Sequence, residues 1–194
     1  MVKIYTRKGD KGFTRLASGE KVSKSNIRIE TYGELDNLNS YLGLIVSFTQ
    51  ELKIKKKFNL DINLINQIQN ALFYYGSMMS CHSQSWKKLN LNDPPKIDLL
   101  IESRIDQLEK KLTPLRNFIL PGGSTLASYI HLARNVCRLA ERKTVFMMEE
   151  EGIQEVPREA LLALNRLSDY LFVFSRYVNM LQKKKENIWK IKKK

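Results

Sequence analysis

Cysteine is scarce in this chain: 194 residues contain two, Cys81 and Cys137. Both fall in helical, largely apolar patterns. Two such thiols supply neither a disulfide framework nor a metal site, and they read as reduced core residues. Histidine is equally scarce, and His82 and His131 lack metal-ligand spacing. His131 reads as a partly buried helix histidine. No apolar run reaches membrane-spanning length, so a soluble protein with no membrane partner is expected. The N-terminal segment lacks the apolar stretch of a secretory signal, which points to the cytoplasm. No Ser, Cys or His stands in a nucleophile–base arrangement. No two strand-like runs flank a hairpin turn, and no internal repeat is present.

Positive charge, by contrast, is abundant, with a formal net charge of +13. Its distribution matters more than its size. Residues 183–194 carry seven lysines and one glutamate, and residues 53–57 carry four lysines. These two segments hold ten of the thirteen net charges. The excess therefore lies in a tail and a loop, which read as solvated ends that favour solubility. A specific nucleic-acid partner is not expected, although a salt-sensitive general attraction is compatible with such runs. The hydrophobic fraction of 43% excludes wholesale disorder. The length suits one domain with a sizeable core, read as residues 1–182, followed by a basic tail over 183–194.

Hydrophobic periodicity predicts an all-α, up-and-down bundle of five helices. The first covers about 31–52, with Leu35, Leu38, Leu42 and Ile45 as its apolar stripe. The second covers about 61–81, with Asp61 as its N-cap. The third covers 97–112 and stops before Pro114. The fourth starts near Ser124, after Pro121-Gly122-Gly123, and ends at Gly152. The fifth runs over 157–182, with Pro157 in the first helical position. Residues 1–28 have little periodicity and read as an ordered loop or short extended arm.

Four constellations stand out from this frame. Thr6-Arg7-Lys8-Gly9-Asp10-Lys11-Gly12-Phe13-Thr14 has two glycines that let backbone N–H groups approach an anion, although composition alone favours a plain turn. Lys24 and Arg28 follow it. Asp36 and Asn39 flank the apolar stripe of the first helix; Asp36 suits the helix N-terminus or an arginine of the fourth helix. From Phe118, the Pro-Gly-Gly turn leads into a helix bearing Arg134, Arg138, Glu141 and Arg142. Like charges four residues apart destabilise a helix slightly, so the stripe is either a solvated face or a polyanion site. In the fifth helix, Asn165 and Asp169 are locally unfavourable, although Arg166 and Asp169 also make a plain intrahelical ion pair.

In this order, these pieces resemble the PduO-type ATP:cob(I)alamin adenosyltransferase family. The matching motifs are Thr6 to Gly12, Tyr32-Gly33-Glu34-Leu35-Asp36-Asn37-Leu38-Asn39-Ser40, Phe118-Ile119-Leu120-Pro121-Gly122-Gly123, Ala133-Arg134 through Arg138 to Glu141-Arg142, and Asn165-Arg166-Leu167-Ser168-Asp169. The resemblance implies a homotrimeric five-helix bundle with active sites at subunit interfaces. It implies transfer of the 5′-deoxyadenosyl group of ATP to cob(I)alamin with Mg2+, giving adenosylcobalamin and triphosphate. It assigns ATP to Thr6, Arg7, Gly9, Asp10, Gly12, Thr14, Lys24, Arg28, Arg138, Glu141 and Asn165. It implies an Asp36–Arg134 pair across the interface, with Asp36, Arg134 and Arg138 serving catalysis. It sets Phe118 against the lower face of the corrin. A reductase supplying cob(I)alamin and an acceptor enzyme using adenosylcobalamin would be its partners. Arg15, Asn37 and Leu139 depart from the family pattern. Trp189 in the tail is a candidate cover for bound corrin.

Overall fold

The structure, a computed structural model, describes Tyr5, Arg7 and residues 9–190; Thr6 lies outside the described residues. Five α-helices dominate the described residues: α1 (Ile27–Glu51), α2 (Asn59–Met79), α3 (Asp98–Glu109), α4 (Thr125–Glu151) and α5 (Arg158–Leu181). Helix α1 packs on α2 and α4, α4 packs on α5, and α5 packs on α3. The expected stripes form the core, with Leu38, Leu42 and Ile45 meeting Ile130, Cys137, Leu164, Leu171 and Val178. Each such apolar side chain contributes about 1.5–3 kcal/mol when buried.

Helix ends differ from the expectation where side chains intervene. Helix α1 begins earlier than residue 31 because Asn26 caps it, accepting the Arg28 N–H at 2.9 Å. Helix α4 begins as expected, with Ser124 Oγ accepting the Ala127 N–H. Gly152, at φ 110°, ends it. Pro157 occupies the cap of α5 rather than its first turn. Asp61 is not the N-cap of α2; Phe58 is, without a side-chain bond. Asp61 instead lies fully buried in the first turn. It accepts hydrogen bonds from Arg104 Nε at 2.8 Å, Arg104 Nη2 at 2.6 Å and the Tyr170 hydroxyl at 3.0 Å. That one carboxylate ties α2, α3 and α5 together, and removing one partner of such a buried pair costs about 3–5 kcal/mol.

The expectation of no hairpin is corrected. Strand β1 (Phe13–Arg15) pairs antiparallel with β2 (Lys21–Ser23). Arg15 Nη1 closes the connection by donating to the Gly19 carbonyl at 2.6 Å, and Gly19 adopts φ 90°. A second antiparallel pair joins β3 (Ile119–Leu120) to β4 (Asn187–Ile188). The start of the tail is thus folded back onto the bundle rather than being solely a solvated end. Among the described residues no helix is long and apolar enough to cross a membrane.

Candidate functional site

Helix α4 turns two arginines away from the apolar core, and neither has an acidic partner among the described residues. Arg138 is exposed, with no ion pair or hydrogen bond from its guanidinium. Arg134 is half-buried: its Cζ lies 5.5 Å from the centroid of the Phe172 ring of α5. Its Nε is buried and has no hydrogen-bond partner. A buried unsatisfied donor is unfavourable, so this guanidinium is poised to accept a further partner. One turn beyond Arg138, Glu141 Oε1 accepts from Asn165 Nδ2 at 2.9 Å. Arg166 donates to Asn165 Oδ1 and lies 3.7 Å from Asp169. The expected intrahelical ion pair is therefore present, while Asn165 fixes the carboxylate of Glu141 across the α4–α5 seam.

Helix α1 carries the acidic counterpart on another side. Asp36 is exposed and faces a groove of about 400 Å3 lined by Tyr32, Asn39, Leu72, Phe73 and Arg15. Its carboxylate has no partner among the described residues. The α1–α4 seam is fixed by Thr31 Oγ1 donating to the Lys143 carbonyl and by the stacked Phe48 and Tyr129 rings, 4.8 Å apart. Asp36 lies between these ties but on the α2 side of α1, whereas Arg134 faces α5. The two are not brought together within one chain.

The N-terminal loop is tight and cationic. The Gly12 N–H donates to the Gly9 carbonyl at 3.2 Å, and the Lys24 N–H donates to the Gly12 carbonyl at 2.9 Å. The Lys24 ammonium lies over Gly9, where an added Cβ would approach it to 3.3 Å. Gly12, at φ 78°, makes the turn into β1. Thr14 is half-buried in that strand, and Asp10 is exposed. Arg7 lies over the Tyr5 ring. The β1–β2 hairpin docks on the end of α2, where the Ala17 N–H donates to the Ser80 carbonyl.

Arg28 does not join this set. It is 1% exposed, and its guanidinium donates to the Met79 and Cys81 carbonyls, to Glu151 at 3.1 Å and to Glu155 at 2.5 Å. These partners, with His82 Nδ1 at 3.1 Å, occupy both terminal nitrogens while the buried Nε has no partner among the described residues, so Arg28 ties elements together beneath the surface rather than lining the N-terminal loop. Burial opposes ionisation of Glu155, but the Ser83 and Arg28 hydrogen bonds outweigh it and hold the carboxyl below its usual range. Burial, followed by the Arg134 charge, pushes His131 below the ordinary histidine value. It therefore remains a neutral, buried ring beside Phe172. Burial pushes both thiols up, so neither cysteine supplies a thiolate.

Phe118 is 79% exposed at the head of β3. The turn behind it is held by a residue the sequence reading missed, Asn179 of α5. Its Oδ1 accepts the Ser124 N–H, and its Nδ2 donates to the Gly122 carbonyl, both at 2.9 Å. Gly123, at φ 112°, is required here, because a Cβ would fall 2.3 Å from Asn179 Oδ1. The signal was available: Asn179, like Asn165, is an asparagine inside a helix, where it is locally unfavourable.

Known proteins resemble this chain along nearly its whole length. The family model described as cobalamin adenosyltransferase matches residues 4–178. The corrinoid adenosyltransferase of Bacillus subtilis (strain 168) is 40% identical over 179 residues, covering 92% of this chain and 87% of that protein. The corrinoid adenosyltransferase MMAB of Homo sapiens is 35% identical, covering 96% of this chain and 73% of that protein. Among solved structures, a variant PduO-type ATP:corrinoid adenosyltransferase from Lactobacillus reuteri, complexed with cobalamin and ATP, superimposes with a TM-score of 0.85. It is 32% identical, with 96% of each chain covered. The chain belongs to the cobalamin adenosyltransferase family.

Proposed function

We propose that the chain transfers the 5′-deoxyadenosyl group of ATP to cob(I)alamin at sites completed between copies of itself in a homotrimer. The observation that carries this reading is a matched pair of orphans. In a chain of this family, Asp36 and Arg134 have no charged partner among the described residues and face different neighbours. A second copy can bring them together, because a ring interface joins two different faces of the same subunit.

In the reaction, the cobalt of cob(I)alamin attacks C5′ of ATP. The cobalt–carbon bond forms, the C5′–oxygen bond breaks in line, and triphosphate departs with the bonding pair. The substrate is its own nucleophile, so the protein needs none, and its task is binding and orientation. The leaving group is a polyanion, which fixed cations stabilise as charge develops. The forked guanidinium of Arg138 suits phosphate oxygens. Lys24 and the N-terminal loop, with Thr6, Arg7, Gly9, Asp10, Gly12 and Thr14, hold the remainder of the nucleotide. Glu141, oriented by Asn165, faces the same ligand. Phe118 covers the lower face of the corrin and excludes water from the cobalt.

Among the described residues no three His, Cys, Asp or Glu side chains cluster closely enough to hold a metal. The residues fit a Mg2+ that arrives on the triphosphate, with Glu141, three residues after Arg138 on α4, as a carboxylate beside the arginine stripe. Bound there, Mg2+ would neutralise phosphate charge. The cob(I)alamin must come from a reductase, and the product passes to an enzyme that uses adenosylcobalamin.

The test is an anaerobic incubation with ATP, Mg2+ and reduced cobalamin. It should yield adenosylcobalamin and inorganic triphosphate in equal amounts. Absence of both with enzyme in excess would overturn the reading.

A further inference from the structure

The start of the lysine-rich tail is built into the structure beside Phe118. After Lys183, at φ 54°, the Lys184 N–H donates to the Asn179 carbonyl and the chain reverses. Glu186 then pairs with Arg176 of α5 at 2.6 Å. Arg176 is only 6% exposed, and its Nη2 also donates to the Thr113 carbonyl at 2.9 Å. This one guanidinium therefore ties the helix, the segment leading to Phe118 and the tail. Beyond it, Ile188 pairs with Ile119, and the Trp189 N–H donates to the Phe118 carbonyl at 2.8 Å. The Trp189 ring meets the Phe118 ring edge-on, with centroids 6.3 Å apart and planes at 77°. The two aromatics share one wall of an open cleft of about 920 Å3 with Leu115 and Ile188.

A tail that served solubility alone would have no use for Ile188 and Trp189. An aromatic side chain as exposed as Phe118 would otherwise be free to change rotamer, and ordering it on binding costs affinity. The backbone bond fixes its peptide, and the edge-on ring restricts its χ angles. We infer that Trp189, anchored through the Arg176–Glu186 pair, is a positioning residue for Phe118. It acts on the corrin through that ring rather than by touching the corrin. The inference rests on the reading that Phe118 meets the corrin.

A double-mutant cycle on the full chain tests it, with KM for cobalamin and for ATP measured separately. Trp189→Ala should raise KM for cobalamin about 2- to 10-fold, leave KM for ATP unchanged, and be rescued by Trp189→Phe. Glu186→Gln should move the cobalamin KM in the same direction. In a Phe118→Ala background, Trp189→Ala should add nothing. A further multiplied loss in that background would mean Trp189 touches the substrate itself, and would overturn the inference. So would unchanged kinetics of Trp189→Ala where Phe118→Ala is impaired. If Phe118→Ala itself behaves like the unaltered protein, the reading of Phe118 falls, and this inference with it. Circular-dichroism melting of each variant separates these outcomes from loss of fold.

Discussion

Arg134 and Arg138 lie one helical turn apart and repel each other, yet neither finds an acidic partner among the described residues. A helix tolerates that arrangement when each cation has its own external partner. Arg134 has its guanidinium carbon 5.5 Å from the centroid of the Phe172 ring and its Nε left unsatisfied, which suits a fixed carboxylate. Arg138 is exposed and suits a ligand that comes and goes. Arg138→Ala is therefore expected to lower kcat/KM by about 100- to 1,000-fold while sedimentation still shows the native assembly. Monomerisation would instead give Arg138 a structural role. These residues were legible in the sequence because charge beside an apolar stripe violates local preference. Arg28 has a second role that the sequence did not reveal. A cation near a glycine loop looks like a phosphate ligand, and only the fold shows two glutamates, Glu151 and Glu155, already at its guanidinium. Arg15, a departure from the family pattern, has a local explanation in its bond to Gly19; nothing in the structure explains Leu139.

At the scale of elements, long helices were readable and short strands were not. The stripe from Leu35 to Ile45 repeats often enough to specify a face. Strands β3 and β4 have two residues each, and their partners are far apart in sequence, so no alternation exists to read. Asp61 shows a further limit: an acidic residue at a helix start fits a cap, and only packing reveals that its partners are Arg104 and Tyr170. The Arg28 cluster joins the start of α1, the end of α2 and the turn after α4 through Glu155. Because the folded carboxyl of Glu155 is depressed, its stabilisation is present above the unfolded carboxylate value. It is lost as pH falls through the folded one. Glu155→Gln should therefore melt below the unaltered protein at neutral pH, and the difference should shrink as pH is lowered below the ordinary carboxylate range. Thermal unfolding followed by circular dichroism checks this, and a gap independent of pH would contradict it.

At the scale of the molecule, the bundle separates the cationic α4–α5 face from the α1–α2 groove that holds Asp36. The central claim is that a second copy reunites them. Asp36→Ala and Arg138→Ala should each be nearly inactive when prepared alone. Co-assembled in equal amounts, they form some sites with Asp36 from one copy and Arg138 from another. Random mixing in a three-membered ring restores about one quarter of sites. The decisive measurement is adenosylcobalamin formation by that mixture, refolded or co-expressed and confirmed as a mixed assembly. About a quarter of the unaltered activity is expected; a mixed assembly as inactive as its two parents would mean that Asp36 and Arg138 do not meet across an interface.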